Sequence, residues 1–176
     1  MLYYLRVERR RNLDNKFSLK KLGILIVILF EKNIAISDKQ THTNIKIPFE
    51  INQHSNSLMI YFSYGPAYSD DYIAQKQVEG ALKRYLPEES DNESKNVMNY
   101  LPIENFVTVS LSYENQYLGA YHNKAKTQAI LINPINPSPG FNACAIAPGS
   151  WELQLNCHCI ASKLVEVEVR IEVLND

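Results

Sequence analysis

All three cysteines of the chain, its single tryptophan and one of its four histidines fall within PGFNACAIAPGSWELQLNCHCIA, residues 139–161. Thiolate and imidazole side chains are ligands for zinc, and a low-pKa thiol is a nucleophile. A structural zinc site wants four ligands converging tetrahedrally, usually with two to four residues between paired cysteines so that the chain wraps the ion. Cys157, His158 and Cys159 are instead adjacent. In WELQLNCHCI the alternation puts Trp151, Leu153, Leu155, Cys157 and Cys159 on one face and Glu152, Gln154, Asn156, His158 and Ile160 on the other. The cysteines continue an apolar row, where free cysteine packs as a small hydrophobe. A buried strand, with no metal or other cofactor, is the expectation. The odd cysteine count implies no disulfide framework.

Other chemistries find less support. His42, His54, His122 and His158 form no H-x-H or H-x(3)-H pair. No G-x-S-x-G elbow is present, Ser110 and Ser112 have no identifiable base, and the six glycines form no phosphate loop. Glu166 and Glu168 lie on an alternating strand face that reads as solvated. No enzyme is predicted. What remains is aromatic: SYENQYLGAYHNK carries Tyr113, Tyr117, Tyr121 and His122 in what reads as a loop after a strand. Amphipathic tyrosines suit sugar rings or another protein's surface, so these four are the candidate ligand-binding residues.

The elements that would position them are mostly strands. NIKIPFEI at 44–51 alternates, with Pro48 placing it at a sheet edge or bulge. SLMIYFSYG at 57–65 is more continuously apolar, and further strands are expected at 105–114, 127–133, 150–161 and 164–174. Between them, residues 69–86 switch to helical spacing, with Ser69 as cap, Ile73, Val78, Ala81, Leu82 and Tyr85 as the apolar face, and Pro87 beyond. Residues 87–96 read as an exposed acidic loop. The apolar run 22–30 reads as a buried strand; a basic lead and Ala35-Ile36-Ser37 imitate a secretory signal, the alternative. Because helices do not alternate with strands, the fold class predicted is all-β: a jelly-roll-like antiparallel β-sandwich of about seven or eight strands with one inserted amphipathic helix over about 69–86.

The 176 residues suit one domain over 22–176, preceded by a basic head at 1–21 that carries seven Lys or Arg against Glu8 and Asp14. Net charge is −1, which offers no global field for nucleic acid, and the apolar run is too short to span a bilayer. A cytoplasmic location follows from reduced thiols, or a secreted one if residues 1–37 act as a signal.

ISDKQTHTNIKIPFEI, LMIYFSYGP, LPIENFVTVSL and PSPGFNACAIAPGSWELQLNCHCI resemble the β-sandwich region that precedes the catalytic domain in CehA/McbA-type metallohydrolases of the PHP phosphoesterase superfamily. The firmest marker is Pro139-Gly140-Phe141 followed by Pro148-Gly149-Ser150-Trp151. Tyr117-Leu118-Gly119 departs from the aromatic-Arg-Gly that relatives tend to show there. The family's metal ligands sit in a later domain and none carries over. The resemblance therefore implies a non-catalytic accessory or interaction module, with a PHP-type hydrolase domain or another protein as partner; a carbohydrate- or small-ligand-binding sandwich is the alternative.

Overall fold

The computed structural model describes residues 25–175, so the basic head and residues 22–24 of the apolar run lie outside the described residues. The strands are β1 (Leu25–Ile36), β2 (Thr43–Ile51), β3 (Ser57–Gly65), β4 (Tyr68–Ser69), β5 (Ile103–Glu104), β6 (Phe106–Tyr113), β7 (Gln116–Tyr121), β8 (Thr127–Ile132), β9 (Gly149–Cys159) and β10 (Val165–Asn175). One helix, α1 (Tyr72–Tyr85), lies between β4 and β5.

Two four-stranded antiparallel sheets form, β1-β10-β3-β8 and β2-β9-β6-β7. The pairings are nested: β1 with β10, β2 with β9, β3 with β8, and β6 with β7 at the closed end. Such a chain is one long antiparallel ribbon, wound so that β10 also meets β3 and β9 also meets β6. This is the jelly-roll order, and the all-β sandwich expected from the strand patterning is the fold observed. Between the sheets lie Ile60, Phe62, Ile130, Val167 and Ile171 from one side and Val107, Val109, Leu111, Leu153 and Leu155 from the other, all at most 1% exposed. Burial of each such side chain is worth about 1.5–3 kcal/mol.

Local chemistry explains the boundaries. Pro48 sits in β2, an edge strand, where its missing N–H costs no ladder bond. Trp151 is 1% exposed, its Nε1 donates to Ala147 O (3.1 Å), and Tyr113 lies against it at 4.6 Å while donating its own hydroxyl to Pro148 O (2.9 Å). The Pro-Gly-Ser-Trp turn is thus pinned at the end of the sandwich. Gly149 has φ +141 and faces the Glu114 carboxylate, which accepts from Ser150 N at 2.7 Å, so a side chain there would collide.

Four expectations need correction. Residues 116–121 are not loop but strand β7: Glu114 and Asn115 take φ +46 and +63, a two-residue turn that closes β6 onto β7 without glycine. The helix is capped by Asp71, which accepts from Ile73 N and Ala74 N, not by Ser69. It buries Ala74 and Val78, whereas Tyr85 is 74% exposed, because α1 touches the sandwich along one edge near Ile160. β1 is a strand, but its first half is not buried: Leu25, Val27 and Ile28 are 36–48% exposed on an edge strand with a register shift after Ile28. Ile160 leaves the polar face of β9, turning into the core as the strand ends at Cys159.

The excursion between β3 and β6 is tied down by Asn105. Fully buried, its side chain donates to Pro66 O (3.0 Å) and Ser162 Oγ (2.7 Å) and accepts from Ala161 N (2.7 Å) and Ser162 N (3.2 Å). Among the described residues no helix is long and apolar enough to cross a membrane.

Candidate functional site

The outer face of the β2-β9-β6-β7 sheet carries a lattice of amides, hydroxyls and imidazoles. Alternation sends Leu153, Leu155 and Cys157 of β9 inward and Gln154, Asn156 and His158 outward; β6 likewise turns Val107 and Val109 inward and Thr108 and Ser110 outward. Cross-strand register then sets Asn44 beside Asn156 beside Thr108, and Lys46 beside Gln154 beside Ser110 beside Ala120.

These groups bond to one another. Gln154 Nε2 donates to Asn156 Oδ1 (2.7 Å), and Asn156 Nδ2 reaches Thr108 Oγ1 and Ser110 Oγ (both 3.3 Å). Thr108 Oγ1 lies 2.8 Å from His158 Nε2. Thr108 is fully buried and Ser110 is 5% exposed, although both stand on the outer face. Mutual bonding holds the lattice in one arrangement, so its remaining donors and acceptors are presented without further ordering cost.

At one end of the lattice the rings gather. His158 stacks on Phe106 (centroids 4.8 Å apart) and lies 5.5 Å from His122. Burial, then the neighbouring charges of His122 and His42, hold the His158 imidazole below its ordinary pKa, so it is neutral at pH 7 and offers one donor and one acceptor. Lys46 and Glu152 form an ion pair at 2.9 Å on the other flank.

A hydroxyl 2.8 Å from an imidazole has the geometry of a nucleophile and its base. Thr108 cannot act as one here, because its oxygen is buried beneath the lattice and engaged by Asn156. The arrangement suits binding: neutral amide, hydroxyl and imidazole groups beside aromatic rings match a ligand with many hydroxyls.

The four residues singled out from sequence are divided by the structure. His122 joins His158. Tyr117 stands opposite Ser112 and is 63% exposed. Tyr121 packs against the core, and Tyr113 wedges against Trp151. His158, Phe106, Thr108, Asn156 and Gln154 were not singled out, yet the polar outer residues of β6 and β9 were the available signal.

The thiols take no part in the lattice. Cys157 is 1% exposed in the Trp151 row and burial pushes its thiol up to about 11. Cys159 is half-buried, its Sγ 3.7 Å from Gln77 Oε1 of α1. Among the described residues no three His, Cys, Asp or Glu are grouped so as to hold a metal ion. Comparison with protein-family models finds no family that matches the chain. Comparison with curated proteins finds no match.

Proposed function

We propose that the chain is a non-catalytic binding module whose ligand face is the outer surface of the β2-β9-β6-β7 sheet, and that the ligand is carbohydrate. The observation that carries this reading is the bonded lattice of Gln154, Asn156, Ser110, Thr108 and His158 ending at Phe106 and His122. Vicinal hydroxyls take paired hydrogen bonds from amides and imidazoles, and the C–H faces of a sugar ring pack on aromatic rings. Its role beside a catalytic partner of the PHP phosphoesterase type belongs to the same proposal, supported by the Pro148-Gly149-Ser150-Trp151 turn and its pinning by Tyr113.

A glycan array probed with the purified chain, with His122→Ala and Tyr117→Ala as variants, tests the ligand. Selective glycan retention that is lost in either variant is expected. Retention of no glycan, or undiminished retention by both variants, would refute the carbohydrate reading. The non-catalytic half fails if the purified chain keeps stoichiometric zinc or manganese and hydrolyses a generic phosphoester.

A further inference from the structure

The opposite face of the molecule holds a groove of about 690 Å³ across β1, β10, β3 and β8. Register explains why space exists there. Glu31, Arg170, Tyr61 and Ala129 stand opposite one another in one row, and Glu168, Ser63 and Thr127 in the next. Small side chains on β3 and β8 leave a trough between the Tyr61 ring and the long side chains of β10. A second cavity of about 500 Å³ shares Ser63 and Glu168 and adds Glu166, so the trough continues towards the Gly65 end of β3.

The charge in the trough is one-sided. The Arg170 guanidinium lies over the Tyr61 ring at 4.5 Å, and its Nε is 3.0 Å from the buried carboxylate of Glu172. Those two charges neutralise each other. Sequence alternation had placed Glu172 in water, but the structure buries it to 4% exposure against Arg170. Glu31, Glu166 and Glu168 remain, exposed and without an ion pair among the described residues; Glu168 accepts from Ser63 Oγ at 3.3 Å.

We infer that this trough binds a linear polyamine. Glu166 and Glu168, two residues apart on one strand, are separated by about 7 Å, and Glu168 and Glu31 are diagonal neighbours at a similar spacing of roughly 7–8 Å. Carboxylates spread along a trough do not converge on a single metal ion, whose oxygens must lie about 2.3–2.6 Å from one point. They match instead a chain that alternates ammonium groups with methylene segments. The methylenes lie on Ala129 and the Tyr61 edge while each ammonium meets a carboxylate. An anionic ligand meets three unpaired carboxylates, and a neutral one leaves them unused.

Titration calorimetry of the full chain with spermidine, at low salt, tests the assignment. Saturable one-to-one binding is expected, weakened roughly ten-fold by Glu168→Gln and by Glu31→Gln, as for loss of one charge-assisted contact. Exposed Glu88→Gln, outside the trough, should change affinity less than about two-fold. Fully acetylated spermidine, uncharged at its terminal nitrogens, should bind far more weakly. Absence of saturable binding, or equal weakening by Glu88→Gln, would overturn the inference, as would magnesium alone binding with the same dependence on Glu168 and Glu31. Glycan retention on the other sheet is untouched by either outcome.

Discussion

Replacing Asn105 by alanine is expected to cost about 3 kcal/mol of stability, from the orphaning of two backbone donors. Asn105 is fully buried, and its Oδ1 is the acceptor for both Ala161 N (2.7 Å) and Ser162 N (3.2 Å), residues themselves at most 5% exposed. A buried N–H left unsatisfied costs about 1–3 kcal/mol, so two cost about 2–6 kcal/mol, with the lower half reached if water enters the vacated space. Pro66 is exposed, so its carbonyl can turn to solvent and adds little. Against a domain stability of about 5–15 kcal/mol this is a large fraction, and for a chain of this size it lowers Tm by about 6–12 °C. Calorimetric melting and urea titration would measure it, with Asn96→Ala as control. Asn96 also bonds a backbone N–H, that of Met98 at 3.1 Å, but on the surface, where water replaces it. If Asn105→Ala shifted the transition no more than Asn96→Ala, the polar clip between the excursion and the β9–β10 turn would have no energetic standing.

Three further outcomes are expected. Gly119→Ala should destabilise by about 2–4 kcal/mol in urea titration, because at φ +145 its Cβ would strike Gly140 O and lie 2.7 Å from Phe141 Cα; Gly140→Ala should add little on top, since both open the same contact. In native thiol labelling followed by peptide mapping, Cys157 should react last, its thiol raised to about 11 by burial; labelling as fast as Cys144 would contradict the burial. Glu104 is held below its ordinary value of 4.5 first by the hydrogen bond from Lys126, so its contribution is present above that value and lost as pH falls through the lower folded pKa. The Tm gap between the parent chain and Glu104→Gln should therefore be open at pH 6 and close below about pH 4; a gap independent of pH would count against it.

Strand identity was legible wherever one face met the core and the other met water. Ser57–Gly65 and the alternating valines of β10 illustrate this, and Pro48 announced an edge strand. β7 was hidden because Glu114-Asn115 closes a tight turn usually signalled by glycine. Glu172 was misjudged because alternation reports the face of a strand, not what a neighbouring Arg170 and the strand on either side do to cover it. The exposed first half of β1 follows from edge position, which composition does not encode.

The histidines show why the candidate site was less legible than the fold. His42, His122 and His158 belong to the β2, β7 and β9 ends, far apart in sequence, and no local motif could join them. Nested pairing does so: winding the ribbon brings β9 between β2 and β6, so His158 is flanked by the start of β2 and by the residue just past β7. Any chain with this nesting must assemble each outer face from residues of low sequence proximity. The outer faces, unlike the core, need no apolar residues, so their polar side chains are free to be chosen for recognition. One face of this chain carries neutral amides, hydroxyls and rings, and the other carries unpaired carboxylates along a trough. Two chemically distinct faces on one ribbon are therefore a consequence of the same winding that builds the core, and substitutions confined to one should leave binding at the other unchanged.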